Sequence, residues 1–379
     1  MDEETLDGLP EVARLMARLC EIPSPSRAEG AVAAEVRAEL AELGAEVTED
    51  DAAETLPAGC GNIVARFPAT AEGGVPIMFG AHLDTVPPTD AIHVVLVDGH
   101  LTNRHDAILG ADDKAAVAVL LHAMRRVRDE GIPHAGVELL FTPCEEIGLR
   151  GATAFDPARL AARYGFIYDH TGEIGSVVGS APTLQRIDAT FVGTPAHAGI
   201  VPERGRSAIL AAAAAVARMP LGRIDAETTA NVGTIAGGTA TNVVPEICRL
   251  AAEARSRDEG ALSAQLTAML DALTWAASER EVDLETRVTT EFHGYRLSER
   301  EPQVAMVLGA LSGLGLAPRL VASGGGSDVN ALLRNSYPAV NVCNGMIDVH
   351  TGDERIAVSS LERMVDVTLA LVDAARASA

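Results

Sequence analysis

Short apolar runs that alternate with helical stretches constrain this chain more than any other feature. In the first 180 residues, NIVARF (62–67), VPIMFGAH (75–82) and GVELLFT (136–142) read as strands. Residues 10–21, 29–43 and 114–131 carry helical periodicity, the last closing at Gly131, and a Pro/Ser loop (IPSPS) separates the first two. Strands alternating with helices predict a doubly wound α/β layer, whose functional residues gather in loops beyond the strand carboxyl ends.

Near residue 183 the texture changes. TLQRIDATFVGT alternates like a half-exposed strand, SAILAAAAAVARM (207–219) is helical, and TANVGTIAGG (229–238) and ICRLAAEARS (247–256) are strand-like. A helix at 260–279 and a strand at 282–292 complete the order β-α-β-β-α-β, the ferredoxin-like pattern. α/β texture resumes from about residue 300 and ends in a helix near 359–377. The expected architecture is an α/β domain in two parts, 1–182 and 294–379, interrupted by an inserted α+β domain at 183–293.

Composition narrows the function classes. The chain has 379 residues, a length that suits two domains, and its 47% hydrophobic content supplies two cores. Aromatics make up only 3%, so Ala, Val and Leu must build those cores. A net charge of -23 repels phosphate backbones and anionic headgroups, which argues against nucleic acid and membrane surfaces as partners. The acidic opening MDEETLDGLP does not read as a secretory leader, and apolar runs are too short to span a bilayer. Five dispersed cysteines (Cys20, Cys60, Cys144, Cys248, Cys343) lack paired spacing, as expected of buried thiols in a reducing cytoplasm. Lys114 is the single lysine, a fact that carries little by itself.

Chemistry-bearing residues recur beyond the apolar runs. His82 and Asp84 follow VPIMFG, where a carboxylate can fix the imidazole tautomer for metal binding or simply cap a strand end. Asp112 and Asp113 precede the helix at 114–131, as caps or as a carboxylate bridge between two cations. Glu145 and Glu146 follow GVELLFT, where burial is costly unless the groups are paired, protonated or metal-bound. Asp169 follows GFIY, and His350 follows AVNVCNG. Mixed nitrogen and oxygen donors of this kind suit zinc, with manganese or cobalt as substitutes.

Taken together, HLDTV, GADDK, CEE, the Asp after IY and VHT resemble the co-catalytic zinc superfamily of aminoacylases, carboxypeptidases and di- and tripeptidases. APTLQRIDATFVGTPAHA, GGTATNVVPE, EARSRD and SGGGSDVNAL extend the likeness along the chain, most closely to the peptidase T-like branch. The resemblance implies two divalent ions, with His82 a ligand of one and His350 of the other. It makes Asp112 the bridge, joined to Asp113 by a cis bond, with Glu146 and Asp169 as further ligands. Glu145 matches the general base, and Asp84 the partner of His82.

In the inserted domain, the resemblance makes His197 the donor to the oxyanion, commonly from a neighbouring subunit. Asn242 and Arg255 match positions that hold the substrate backbone or carboxylate, and Gly324, Gly325 and Gly326 a loop lining the cleft. The α/β part is then the catalytic domain and the insert a lid that also dimerises, with hinges near 180–183 and 293–297. Aspartate at position 169 goes with aminopeptidases in this resemblance, so the expected reaction releases the N-terminal residue of short peptides, tripeptides in particular. The alternatives are an amidohydrolase of N-acyl or N-carbamoyl amino acids and a catalytically silent binding protein.

Overall fold

A computed structural model describes residues 6–378. The chain divides into two compact units, one comprising the chain up to Gly179 with Arg296–Ser323 and Ser327–Ala379, the other Ser180–Tyr295 with Gly324–Gly326. Each has its own hydrophobic core.

Among the described residues, the first unit is built around a nine-stranded mixed sheet. Four adjacent strands at its centre run parallel, in the order Val137–Thr142, Ile77–His82, Tyr164–Ile167, Ala339–Val342. The first two are buried along their whole length, which is why VELLFT and IMFGAH read as near-continuous apolar runs instead of alternating. The long helix Ala111–Asp129 packs against strand Ile77–His82 and against helices Glu11–Cys20 and Val358–Ala377. Lys114, on that helix, is fully buried and donates to the carbonyl of Ile22 at 2.6 Å. A small antiparallel sheet joins Met346–Ile347, Arg355–Ala357, His100–Asn103 and Val94–Val97. Its hairpin turns through Asp98 and Gly99, both at positive φ (48° and 77°).

The second unit is a five-stranded antiparallel sheet in the order Gly222–Arg223, Thr228–Gly237, Ile247–Ser256, Thr183–Val192, Asp283–Phe292. Helices Ala208–Arg218 and Glu259–Glu279 pack on this sheet. Ser207 caps the first helix by accepting from Leu210 N–H (3.3 Å), and Asp258 the second by accepting from Ala261 N–H (2.7 Å). Alanines 208, 211, 212 and 215 face alanines 252 and 254 in this core, so small side chains replace the missing aromatics. All five cysteines are buried free thiols, and burial pushes those of Cys20, Cys144 and Cys343 up to about 12. Among the described residues, no helix is long and apolar enough to cross a membrane.

Candidate metal centre

The carboxyl ends of the central parallel strands deliver most of the site. Strand Ile77–His82 ends on His82, and Glu145 and Glu146 follow Val137–Thr142 after the Pro143-Cys144 turn. Asp169 lies two residues past Tyr164–Ile167, and Asp112 sits at the start of Ala111–Asp129. The Asp112–Asp113 peptide bond is cis. His350 reaches the group from the loop before Arg355–Ala357, with its own backbone left-handed at φ 66°. All of these residues belong to the first unit.

Asp112 is the hinge of the arrangement. Its Oδ1 lies 3.1 Å from His82 Nε2, and its Oδ2 lies 3.2 Å from His350 Nε2. One carboxylate thus faces an imidazole on either side. Around it, His82, Asp112 and Asp169 offer donor atoms within 4.8 Å of one another, as do Asp112, Glu146 and His350, and also His82, Glu145 and Glu146. Glu146 Oε1 stands 2.9 Å from His350 Nε2.

The surroundings fix these donors. His82 Nδ1 lies 2.8 Å from the carbonyl oxygen of Asp84. A carbonyl can only accept, so Nδ1 carries a proton and Nε2 is the nitrogen turned to the centre. The Asp84 carboxylate, 3.6 Å from Nδ1, is engaged elsewhere: it accepts Glu145 N–H (2.9 Å), Glu146 N–H (3.2 Å) and the Ser26 hydroxyl (2.6 Å). The tautomer is therefore set by the main chain of Asp84, while its side chain holds the turn that carries the two glutamates.

Two further residues have no local signal in the sequence. Buried Glu29 accepts from the amides of Arg27, Gly59 and Cys144, bracing the same turn at Cys144, itself left-handed at φ 57°. Asn341 exchanges hydrogen bonds with the main chain of Asp169, accepting from its N–H (3.0 Å) and donating to its carbonyl (2.6 Å).

Electrostatically, carboxylates outnumber imidazoles in the site. Burial drives the Glu145 carboxyl well above the usual carboxylate range, and the nearby Asp169 charge adds to it. Burial and then the Asp112 charge do the same to Asp169. Burial opposes the charged forms of His82 and Asp112, but interactions with Asp112 and then Asp84 outweigh it at the histidine and raise it, while hydrogen bonds from His350 and then His82 lower the aspartate. Hydrogen bonds to Asp112 and Glu146 lift His350 to about 10. Buried carboxylates in excess of imidazoles, with donor atoms this close, fit divalent cations.

Residues 78–374 match the profile of Peptidase family M20/M25/M40. The chain belongs to this peptidase family. It is therefore a metallopeptidase. A Bacillus subtilis protein, YqjE, is 34% identical over 357 residues, covering 94% of this chain and 96% of its own. The crystal structure of aminopeptidase PepT from Bacillus cereus is 36% identical, with a TM-score of 0.84 over 96% of this chain and 98% of its own. That of a tripeptidase from Staphylococcus aureus is 33% identical, with a TM-score of 0.89 over 97% and 98%.

The remaining sequence-predicted residues of this M20 peptidase chain lie in the second unit. His197 is exposed and its Nδ1 accepts from Gly199 N–H at 3.2 Å. Its neighbour Ala198 donates to the carbonyl of Asn242 at 3.0 Å, so the His197 and Asn242 loops lie side by side. Arg255 is forked onto Glu253, two residues back on the same strand, at 2.9 and 3.1 Å. Gly325 and Gly326 belong to this unit, and a Cβ on Gly326 would meet the Phe292 ring at 2.6 Å.

Proposed function

We propose that this M20-family peptidase binds two divalent ions and releases the N-terminal residue of short peptides, tripeptides in particular. The observation that carries the two-ion reading is Asp112, whose two oxygens face His82 and His350 separately. His82 and Asp169 would hold one ion with Asp112, and Glu146 and His350 the other, with zinc the ion that best suits the donors. When bound, the ions polarise the scissile carbonyl and make the attacking water acidic. Glu145 has no ligand role in this division and stands beside both groups. It takes the proton of the attacking water and delivers it to the departing amine.

The second unit would act as a lid and dimerisation domain. His197, from a partner copy, would donate to the oxyanion. Asn242 and Arg255 would hold the peptide backbone or carboxylate, and Gly325 and Gly326 would line the cleft. Asp169, together with the aminopeptidase and tripeptidase among the similar structures, supports attack at the N-terminal peptide bond. The test is to load the protein with zinc and offer tripeptides, dipeptides and N-acetyl amino acids. Release of the N-terminal residue from tripeptides, abolished by Glu145→Gln with zinc retained, is expected. Hydrolysis of N-acetyl amino acids alone would refute the reading.

A further inference from the structure

Glu354 lies just past His350 and belongs to none of the three donor groups. Its carboxylate is 1% exposed. Oε2 accepts from the amides of Leu109 (2.8 Å) and Gly110 (2.9 Å), and Oε1 accepts from the amide of Asp112 itself (3.0 Å). These amides belong to the turn that enters helix Ala111–Asp129, where Gly110 is left-handed (φ 76°). The first amides of a helix have no partner within it. Here one side chain from the far end of the chain satisfies two such donors, Gly110 and Asp112, together with the Leu109 amide just before them. Glu354 is itself anchored: Arg355, Ile356 and Ala357 pair with Thr102, Leu101 and His100, and the Thr102 hydroxyl donates to the Glu354 carbonyl at 3.3 Å.

We infer that Glu354 is a positioning residue that sets the orientation of Asp112 and its separation from His350. Asp112 must present one oxygen to each side of the centre, so a small rotation of its main chain would disengage one of them. Glu354 grips that main chain at the Asp112 nitrogen. It also belongs to the segment that carries His350, so one buried carboxylate ties the two loops together. This inference rests on the two-ion reading.

Glutamine at 354 keeps the shape but offers one acceptor oxygen, and its NH2 group would face an amide that needs an acceptor. A matched control is Glu138, a carboxylate 2% exposed that accepts the amides of Ala161 (2.9 Å) and Ala162 (2.8 Å) at the opposite end of strand Val137–Thr142. Zinc affinity of the full chain is measured by competition with a chromophoric chelator, beside thermal unfolding of the zinc-free protein and steady-state kinetics.

Glu354→Gln is expected to bind two zinc ions about 10–100-fold more weakly than wild type, the usual effect of losing an outer partner of a ligand. Its kcat at saturating zinc should fall while KM holds. Glu138→Gln should melt earlier and bind zinc as wild type does. Unchanged zinc affinity in Glu354→Gln, or equal weakening in Glu138→Gln, overturns the inference while leaving the two-ion reading intact. A wild-type protein that takes up no zinc overturns both. Should Glu354→Gln not fold, hydrogen exchange in the wild-type protein decides: slow exchange at the amides of Leu109, Gly110 and Asp112 supports the inference, and fast exchange there overturns it.

Discussion

Replacing Asp84 with asparagine separates the two jobs that this residue performs. The side chain, itself fully buried, accepts Glu145 N–H on Oδ1, and Glu146 N–H and the Ser26 hydroxyl on Oδ2. Asparagine keeps one acceptor oxygen and gains an NH2 that can only donate. Whichever way the amide turns, one backbone N–H of the glutamate turn faces another N–H. A buried donor left unsatisfied costs about 1–3 kcal/mol. That corresponds to roughly 5- to 150-fold in an equilibrium constant. The turn can relieve it by shifting, which displaces Glu145 and Glu146. Zinc affinity and kcat should therefore both fall, within that range, as read by chelator competition and tripeptide turnover. The His82 tautomer should not change, because its Nδ1–H partner is the Asp84 carbonyl at 2.8 Å. Nitrogen-15 NMR of the imidazole reports it directly. Wild-type turnover and zinc affinity in Asp84→Asn would refute the role given to the carboxylate; an altered His82 tautomer would refute the role given to the carbonyl.

Asp112→Asn should lower the affinity for both ions together, whereas Asp169→Asn should weaken one and spare the other; metal stoichiometry by mass spectrometry distinguishes the cases. Gly326→Ala should destabilise the second unit by about 1–3 kcal/mol, since the new methyl meets the Phe292 ring and overpacking of that kind costs this much. A partial return of the melting temperature in the Gly326→Ala, Phe292→Leu double variant would confirm the clash, and no loss in the single variant would exclude it. Removing the ions with a chelator should lower thermal stability by about 2.7 kcal/mol for each ion held at a free concentration of 100 times its Kd; an unchanged melting curve would show that the folded chain gains nothing from them.

Some of this was legible in the sequence because the physics is local. Apolar runs such as IMFGAH and VELLFT read as buried strands, and the helical periodicity beyond Lys114 set the element beside them. Parallel pairing then brings His82, the Glu145-Glu146 turn and Asp169 to one edge of the sheet, so residues that are far apart in sequence converge through a regular rule. The division of Asp84 was not legible. Strand periodicity places its side chain beside His82, but the strand ends at His82 and the chain turns, freeing the carboxylate for amides 61 and 62 residues onward. Asn341, Glu29 and Glu354 were equally hidden, because what each satisfies is a main-chain group on a distant loop, and main-chain groups leave no mark on composition or spacing. The hairpin at Asp98-Gly99 does carry a short-range turn signal, but its pairing with Arg355–Ala357 carries none.

The outer partners have a common chemistry that bears on why the centre needs cations. Glu29, Asp84, Glu138 and Glu354 are all buried, and each accepts two or more main-chain amides. A carboxylate suits this task better than an amide or hydroxyl because both of its oxygens only accept and its charge strengthens each bond. The cost is a buried negative charge. At Glu138 that charge is met by the Arg66 guanidinium, 2.7 Å away. At Asp84 and Glu354 the hydrogen bonds come from neutral amides and a hydroxyl, and the raised pKa of buried Glu354 marks charge that three amides do not fully offset. Buried Lys114 offsets part of the Glu354 charge, and the donor groups that these residues hold in place can take divalent cations. Bracing and ligation are then one electrostatic arrangement: the carboxylates that shape the ligand loops also add to the field that draws the ions in.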